Sequence, residues 1–471
     1  MNFWDYEAWG LLTVLAVLLI GLLIANVLKK TVKPIRESLI PTSVLGGIII
    51  LIVSTVYKLC TGEMFFNTKF FATNGTVVLE FITYHALALG FISSALKISE
   101  KKMTGKRGVE IFDSGVTTVS TYLLQASVGL AITIVGALLF GWVFPAAGAI
   151  LPMGFGQGTG QALNYGKMYE VQNGFQGGAN FGLTVAALGF LSASIGGVIH
   201  LNIMKKKGRL KKVDLEERVI KLENVEHPNE ISMSGDMDKF TAQLIFIFIS
   251  YLATYLIMWG FGELLPGMKA TIYGFNFLIG VLMATLVKLV MKGLTKAKIL
   301  KKQYVNNFLM NRISNLCFDL MIVAGIAAID LTLIANYWGM LLILGVVGLA
   351  ITYLYNMFVA KTLFKEYEDE QFLAMYGMLT GTASTGVMLL REIDPEYKTP
   401  VQDNLVYQTL PAIVFGFPIM FLLPIAPDAP YLILGICVAL FIVMNVILFR
   451  TKLFPKIFGA KKEKTEQVDN K

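Results

Sequence analysis

The sequence predicts an all-α polytopic membrane protein. We expect two inverted repeats of five transmembrane helices, each with a re-entrant hairpin, plus an extra C-terminal helix. Of the 471 residues, 55% are hydrophobic and only 15% are charged, whereas about 25% of the residues in a soluble chain are charged. The apolar residues fall in runs of about 20, the length that a helix needs to cross a hydrocarbon core. Two stretches rich in Gly, Thr and Ser interrupt these runs at matching places.

The apolar runs set the boundaries of the repeats and of the spans. We expect the first repeat at 1–202, a cytoplasmic linker at 203–238, the second repeat at 239–424, the extra helix at 425–450 and a cytoplasmic tail at 451–471. The predicted spans cover about 9–28, 39–59, 75–97, 119–142, 177–201, 240–262, 272–292, 312–335, 338–360, 402–424 and 430–450.

The two interrupting stretches, about 145–170 and 368–392, are poor material for straight transmembrane helices. Non-helical backbone at membrane depth survives only where protein or a water-filled cavity buries it, so both are predicted to be re-entrant hairpins. Halves related by an inverted repeat, with paired broken segments, indicate a transporter site at the midplane. The matched positions are Gly154 and Gly158 with Gly377 and Gly381, and Gly46 with Gly280.

Lysine and arginine cluster in loops on one predicted side of the membrane. The clusters lie at 29–36, 97–107, 205–212, 292–302, 361–365 and 450–462. Cytoplasmic loops are enriched in these residues, so the pattern predicts an N-terminus outside and a C-terminus inside a cytoplasmic membrane. Because topology accounts for the net charge of +8, we do not expect nucleic acid as a partner.

The first hairpin contains a run of glycines and neutral polar side chains. Glycines let backbone N–H and C=O groups face a ligand, and the Gln and Thr side chains add neutral donors and acceptors. Alternatively, the run is a turn that only lets two helices pack. The predicted substrate-binding residues in this hairpin are Gly156, Gln157, Gly158, Thr159, Gly160 and Gln161.

The second hairpin contains a matching run of hydroxyl side chains, Thr380-Gly-Thr-Ala-Ser-Thr385. Hydroxyls and carbonyls can replace part of a sodium ion's hydration shell, although Ser and Thr in membrane helices also bond back to their own backbone. We predict that Thr382, Ser384 and Thr385 bind substrate and that Thr380 and Gly381 bind the cation.

Polar groups within spans are expensive and are therefore candidate sites. Asn315 and Asp319 share a helical face with Arg312, and Asp319 is either a cation ligand or the ion-pair partner of Arg312. Gln125 and Asn180 are either further cation ligands or polar contacts between helices. Three other polar residues carry less weight: His85 is a proton carrier or a buried hydrogen-bonded histidine, and Asp113 and Glu80 lie near span ends.

The sequence contains no enzyme or nucleotide-binding motif such as HExxH, GxSxG or GxxxxGK[ST]. Neither an enzyme nor an ATP-driven pump is therefore predicted, and no cofactor is expected besides a coupling ion. Polarity concentrated in two breaks favours a transporter over an ion channel, which would require a continuous polar stripe.

At its hairpins the chain resembles the bacterial sodium/glutamate symporter family. The family's Gly-Gly-His-Gly-Thr-Gly is matched by Phe155-Gly-Gln-Gly-Thr-Gly160, and its Gly-Ala-Thr-Pro-Thr by Gly381-Thr-Ala-Ser-Thr385. Gln125, Asn315 and Ile40–Gly47 also resemble family positions. The resemblance implies a homodimer that takes up glutamate with sodium. It also implies two inverted five-helix repeats, with a mobile core that moves against a dimerising scaffold.

The chain departs from the family pattern where it would touch substrate. Gln157 replaces the family's His, Phe155 replaces a Gly, and Ser384 stands where Pro is expected. The alternative is a sodium- or proton-coupled transporter of another carboxylate or of a neutral amino acid. Arg312 and Arg391 are the nearby cationic candidates for a substrate's side-chain carboxylate.

Overall fold

The computed structural model of the chain is all-helical, as the sequence predicts. It describes residues 2–98, 105–209, 230, 237–300, 302–394 and 398–454. Apart from turns and short 3₁₀ segments, the described residues form α-helices, with one isolated bridge between Glu230 and Gln303. Most of the predicted linker, and the tail beyond residue 454, lie outside the described residues.

Eight helices form the first half. They are α1 (Tyr6–Thr31), α2 (Lys33–Glu37), α3 (Thr42–Thr61), α4 (Gly75–Leu96), α5 (Gly105–Phe140), α6 (Leu151–Gln157), α7 (Thr159–Asn173) and α8 (Gly178–Lys206). α6 and α7 are the arms of the predicted first hairpin. α5 begins at Gly105, although the predicted span began at 119. The charged residues in the first turns of α5 lower the mean hydropathy there, so the apolar run starts later than the helix. The structure pairs these charges, since Arg107 and Glu110 lie 3.0 Å apart.

Eleven helices form the second half. They are α9 (Lys239–Leu264), α10 (Lys269–Gly274), α11 (Asn276–Lys296), α12 (Asn307–Ala327), α13 (Trp338–Leu363), α14 (Glu368–Thr380), α15 (Ala383–Arg391), α16 (Val401–Tyr407), α17 (Thr409–Ile425), α18 (Pro430–Leu448) and α19 (Arg450–Leu453). α12 starts before the predicted 312–335 because the Asn306 side chain caps it, accepting from the Leu309 N–H. The predicted span 402–424 divides into α16 and α17.

Ten of the described helices are long and apolar enough to cross a membrane: α1, α3, α4, α5, α8, α9, α11, α12, α13 and α18. α17 is apolar but shorter, and Pro418 and Pro424 lie inside it. Large apolar side chains cover the outer faces, for example Leu139 with 71% and Val346 with 68% of its surface exposed. Surfaces of this kind suit lipid rather than water. The chain is therefore a multi-pass membrane protein.

The helices pack into two groups. The six-helix group comprises α1, α3, α4, α9, α11 and α12, and the hairpin group comprises α5–α8 and α13–α18. α7 makes the closest packing between the groups, against α4 and α12. The hairpin group therefore leans on the six-helix group through its first hairpin.

The two halves of the chain use matched helix pairings. α1 packs on α3 as α9 packs on α11, α3 packs on α12 as α11 packs on α4, and α8 packs on α13 as α17 packs on α5. Gly47 packs against Ile326 and Gly280 against Ile92. The packing therefore matches Gly280 to Gly47, whereas the sequence comparison chose Gly46. An inverted repeat would produce these pairings, and the repeat and the re-entrant insertion of the hairpins stay predictions.

Candidate functional site

The first hairpin breaks at Gly158, between α6 and α7. Its φ of +76° and ψ of −165° are open to glycine but strained for other residues. The hairpin is held from both sides: Gly154 packs against Val185 of α8, and the Tyr122 hydroxyl of α5 donates to the Gly156 carbonyl at 3.0 Å. Every residue of α6 is buried. The break therefore lies in the protein interior, on a fixed support.

The second hairpin breaks at Gly381 and Thr382, between α14 and α15. The two arms pack against each other, with Gly377 against Gly386. α14 is almost entirely buried, whereas α15 exposes Ser384 at its start. One side of this break is therefore accessible.

The two breaks meet. A Cβ added to Gly158 would lie 3.2 Å from the Thr382 methyl group and 3.5 Å from Met321. Phe190 of α8 touches both breaks, since it also lies 3.0 Å from a Cβ added to Gly381. The Thr159 hydroxyl donates to the Met321 carbonyl at 3.0 Å, which ties the first break to α12. Gly160 packs against Leu87 of α4.

Two buried amides beside the first break have unsatisfied atoms. Gln161 is fully buried, and neither its Nε2 nor its Oε1 has a hydrogen-bond partner. Gln157 is 9% exposed, and its Oε1 is also unpaired. Leaving a buried polar group unsatisfied costs about 1–3 kcal/mol, and native proteins rarely do so without a reason. Both donors and acceptors are thus available at the break.

Gln125 connects α5 to the second break. Its Nε2 donates to the Leu379 carbonyl at 2.9 Å and to the Thr352 hydroxyl at 2.9 Å. Leu379 immediately precedes Thr380, whose own hydroxyl donates back to Tyr376. Within the second break, the hydroxyls of Thr382 and Thr385 lie 3.3 Å apart.

Asn180 does not lie at the breaks. Its Oδ1 accepts from the Asp330 backbone N–H at 2.6 Å, in the loop after α12. The breaks are level with Gly189 of α8, which packs against the Thr380 carbonyl. Nine residues of helix separate Asn180 from that level, roughly 13 Å. The structure thus gives Asn180 a role in linking helices.

Asn315 and Asp319 are exposed on α12, whereas Met321 and Gly325 of the same helix contact Thr159. Asp319 lies beside Ser43 of α3. The ion pair with Arg312, one of the two alternatives for Asp319, is absent from the described residues. The Arg312 guanidinium instead lies 4.9 Å from the ring centre of Phe308. These residues border the site without entering it.

The remaining ionisable candidates have partners elsewhere. His85 is exposed, and its Nδ1 lies 2.5 Å from the hydroxyl of Tyr251, another residue of the six-helix group. Other pairs join Glu80 to Lys167 at 3.3 Å and Asp113 to Arg450 at 2.6 Å. The described residues contain no cluster of three His, Cys, Asp or Glu side chains that could hold a metal.

Sequence reasoning missed Tyr122, Phe190 and Met321, which enclose the breaks. Tyr122 lies three residues before Gln125, on the same helical face, so the period of α5 offered a signal. Phe190 and Met321 are ordinary apolar residues in apolar spans, and no local pattern distinguishes them.

One comparison with known proteins finds a family for this chain. The profile of a family described as sodium/glutamate symporter matches residues 8–399, which include both hairpins. A comparison with curated proteins finds no match.

Proposed function

Because the chain belongs to the sodium/glutamate symporter family, we propose that it imports glutamate together with sodium across a cytoplasmic membrane by alternating access. Substrate and ion bind where the two hairpin breaks meet. The observation that carries this proposal is the contact between Gly158 and Thr382, beside the unsatisfied amides of Gln157 and Gln161.

The substrate's carboxylate binds between the N-termini of α7 and α15, which both start at the breaks. Helix N-termini offer free backbone N–H groups and a partial positive charge, so they favour anions. Gln157 and Gln161 supply neutral donors and acceptors for the substrate's amino and carboxylate groups. Thr159, Ser384 and Thr385 complete the pocket, and Gly156, Gly158 and Gly160 leave the backbone accessible.

Sodium binds on the second-hairpin side, among the backbone carbonyls of Thr380 and Gly381 and the Thr380 hydroxyl, with Gln125 behind them. Unwound backbone beside a helix end is suited to a hard monovalent cation. Asn315 and Asp319 line the approach from the cytoplasm, and their exposure on α12 supports this placement.

Alternating access moves the hairpin group against the six-helix group. α7 makes the closest packing between the groups, so the contacts to be broken include the Glu80–Lys167 pair. They also include the hydrogen bond at 3.2 Å from Asn164 to the carbonyl of Gly274 in α10, the short helix that packs on α9 and α11 of the six-helix group. The exposed start of α15 indicates that the second hairpin borders an open cleft. With the N-terminus outside, as the basic loops predict, that cleft faces the cytoplasm. The proposal includes a homodimer in which the six-helix groups of two copies form a fixed scaffold while the hairpin groups move.

The test is uptake of labelled L-glutamate into proteoliposomes with and without an inward sodium gradient. Uptake should be saturable and sodium-dependent. The Gln161→Ala variant should lose it, whereas the Gln176→Ala control, at an exposed glutamine in the loop before α8, should keep it. Sodium-independent uptake, or equal activity in both variants, would overturn the proposal.

A second candidate substrate is a neutral amino acid or a different carboxylate. One observation favours it: segments 154–161 and 380–386 contain no cationic residue for a side-chain carboxylate. Competition of labelled glutamate by unlabelled glutamine, serine, aspartate and dicarboxylates separates the two. Stronger inhibition by a neutral amino acid than by glutamate itself would replace the substrate and leave the mechanism standing.

A further inference from the structure

A second set of unsatisfied oxygens lies away from the breaks, along the seam between α5 and α13. These helices pack antiparallel, with Gln125 opposite Thr352 and Thr121 opposite Asn356. All four side chains are buried, with at most 2% of their surface exposed. The seam therefore holds two polar rungs, one helical turn or about 5.4 Å apart.

The orientation of both amides is fixed by their nitrogens. Gln125 Nε2 donates to the Leu379 carbonyl at 2.9 Å, and Asn356 Nδ2 donates to the Thr352 carbonyl at 2.9 Å. A carbonyl oxygen only accepts, so turning either amide around would set oxygen against oxygen. The amide oxygens, Gln125 Oε1 and Asn356 Oδ1, must therefore point away from these carbonyls. Neither has a partner.

The two rungs also offer hydroxyl lone pairs. The Thr352 hydroxyl accepts from Gln125, and the Thr121 hydroxyl accepts from Asn356 at 3.4 Å. A hydroxyl oxygen has two lone pairs, so each retains one. The seam thus presents four neutral oxygens with free acceptor capacity and no carboxylate. Such a set suits a hard cation of low charge, because hard cations take oxygen ligands and a doubly charged ion would stay uncompensated here.

We propose that this seam binds a sodium ion through Gln125 Oε1, Asn356 Oδ1 and the two threonine hydroxyls. The proposal rests on the proposed function, for which it adds a cation site distinct from Thr380 and Gly381. Gln125 shares its amide between the ion and the Leu379 carbonyl, so an ion in the seam orders the turn that leads into the second break. Sodium bound there prepares the substrate site without touching substrate.

The test measures the melting temperature of the purified full-length protein, without substrate, in sodium, potassium and choline chloride at equal ionic strength. A ligand that binds only the folded state raises the melting temperature with its concentration. The wild type should show a saturable rise in sodium alone. In Asn356→Leu the half-saturating sodium concentration should rise at least tenfold. Stability in choline should change little, because removal of an unsatisfied oxygen offsets the loss of the two Nδ2 hydrogen bonds. Asn356→Asp, which keeps an oxygen and adds charge, should lower it.

Asn445→Leu is the matched control. Both ends of the Asn445 amide are paired, since Oδ1 accepts from the Tyr355 hydroxyl at 2.9 Å and Nδ2 donates to the Phe441 carbonyl at 2.8 Å. This variant should lose stability equally in sodium and choline and keep the sodium response. An Asn356→Leu protein that behaves like this control, or a wild type that does not respond to sodium, overturns the seam site.

The two proposals fail in different ways. A wild type stabilised by sodium through Asn356, but unable to take up glutamate, leaves the seam site standing and refutes the substrate. Glutamate uptake with unchanged sodium dependence in Asn356→Leu refutes the seam site and leaves the symporter.

Discussion

The two hairpins have the same kind of break but are held in different ways. Four residues before its break, the first hairpin places Gly154 against α8, and its second arm α7 packs along α8, α4 and α12. The second hairpin places Gly377 against its own other arm, and its second arm α15 packs chiefly on α14. The first hairpin is therefore part of the wall between the helix groups. In the second hairpin α14 is anchored on α13, α8 and α6, whereas α15 is held mainly by α14.

This difference assigns different tasks to two segments of similar sequence. A hairpin whose two arms pack on α8, a helix of its own group, can hold precise ligand geometry, because these contacts do not change when the groups move. An arm such as α15, which packs chiefly on its partner arm, can tilt at low cost, since few contacts must break. We infer that the first hairpin defines the substrate site and that the second opens and closes it.

The largest expected effect comes from disturbing the fixed break. Gly158→Ala places a methyl group against Thr382 and Met321 and forces alanine to a φ of +76°. We expect at least a hundredfold loss of glutamate uptake. Gly174→Ala is the control, because Gly174 has a φ of +70° with nothing within 4 Å of an added Cβ.

Both variants carry a backbone strain of about 1–2 kcal/mol, but only Gly158→Ala also crowds the site. Equal losses of uptake in the two proteins would show that strain, and not the contact between the breaks, limits transport.

The next effect tests the mobility of the second hairpin. In a Cys60→Ser background, which removes the exposed natural cysteine, Ser384→Cys should react with a membrane-impermeant thiol reagent added from the cytoplasmic side. Thr159→Cys, at a fully buried position of the first hairpin, should stay at least tenfold slower. Glutamate with sodium should slow the labelling at 384. Labelling of Ser384→Cys by reagent added from the outside instead would show that the cleft beside the second hairpin faces outward, against the proposal.

The sequence predicted the breaks well, because their signal is local. Glycine with threonine at 158–159 and 381–382 interrupts apolar periodicity wherever the chain folds. The apolar runs that predict the spans are equally local signals, except where a buried ion pair compensates a charge within a helix. Asp113, which Arg450 neutralises, is the reason that the start of α5 was placed too late.

Which polar residues come together could not be predicted, because that depends on distant pairings. Asn356 is a single polar residue in an apolar run, and its partner Thr121 is 235 residues away. Asp319 has the mid-span position typical of an ion ligand, yet its helical face turns toward α3 rather than the breaks. Periodicity gives the face a residue shares, but not which neighbour that face meets.

A smaller effect compares one tether of each hairpin. The Tyr122 hydroxyl holds the first hairpin at Gly156, and the Tyr376 hydroxyl holds the second by donating to the Ser192 carbonyl at 2.7 Å. Each hydrogen bond is worth about 1 kcal/mol, or roughly fivefold. Tyr122→Phe should raise the KM for glutamate, and Tyr376→Phe should change the maximal rate instead. Identical changes in both parameters would remove the distinction between a fixed and a moving hairpin.

The smallest expected effect is on stability and comes from the ion pair between Lys58 of α3 and Asp330, which lies in the loop after α12, at 2.6 Å. The backbone of Asp330 is hydrogen-bonded to Asn180 of α8, the helix that supports the first hairpin. Burial alone raises the pKa of Asp330, but the hydrogen bonds from Lys58 and Thr332 lower it by a larger amount. The pKa of this carboxyl therefore lies below its usual range. A carboxyl with a lowered folded pKa stabilises the fold above its unfolded pKa of about 3.9, and that stability disappears as the pH falls through the folded value. The stability that this carboxylate adds should therefore stay constant from about pH 8 to 5. In Lys58→Met the pKa of Asp330 rises, so the loss of stability in acid should begin at higher pH. At neutral pH the variant should be less stable by about 1 kcal/mol or less.

Lys69→Met is the control, because Lys69 is an exposed lysine in the connection between α3 and α4, and this variant should follow the wild-type profile. Identical profiles for all three proteins would mean that this ion pair adds nothing to the support of the first hairpin.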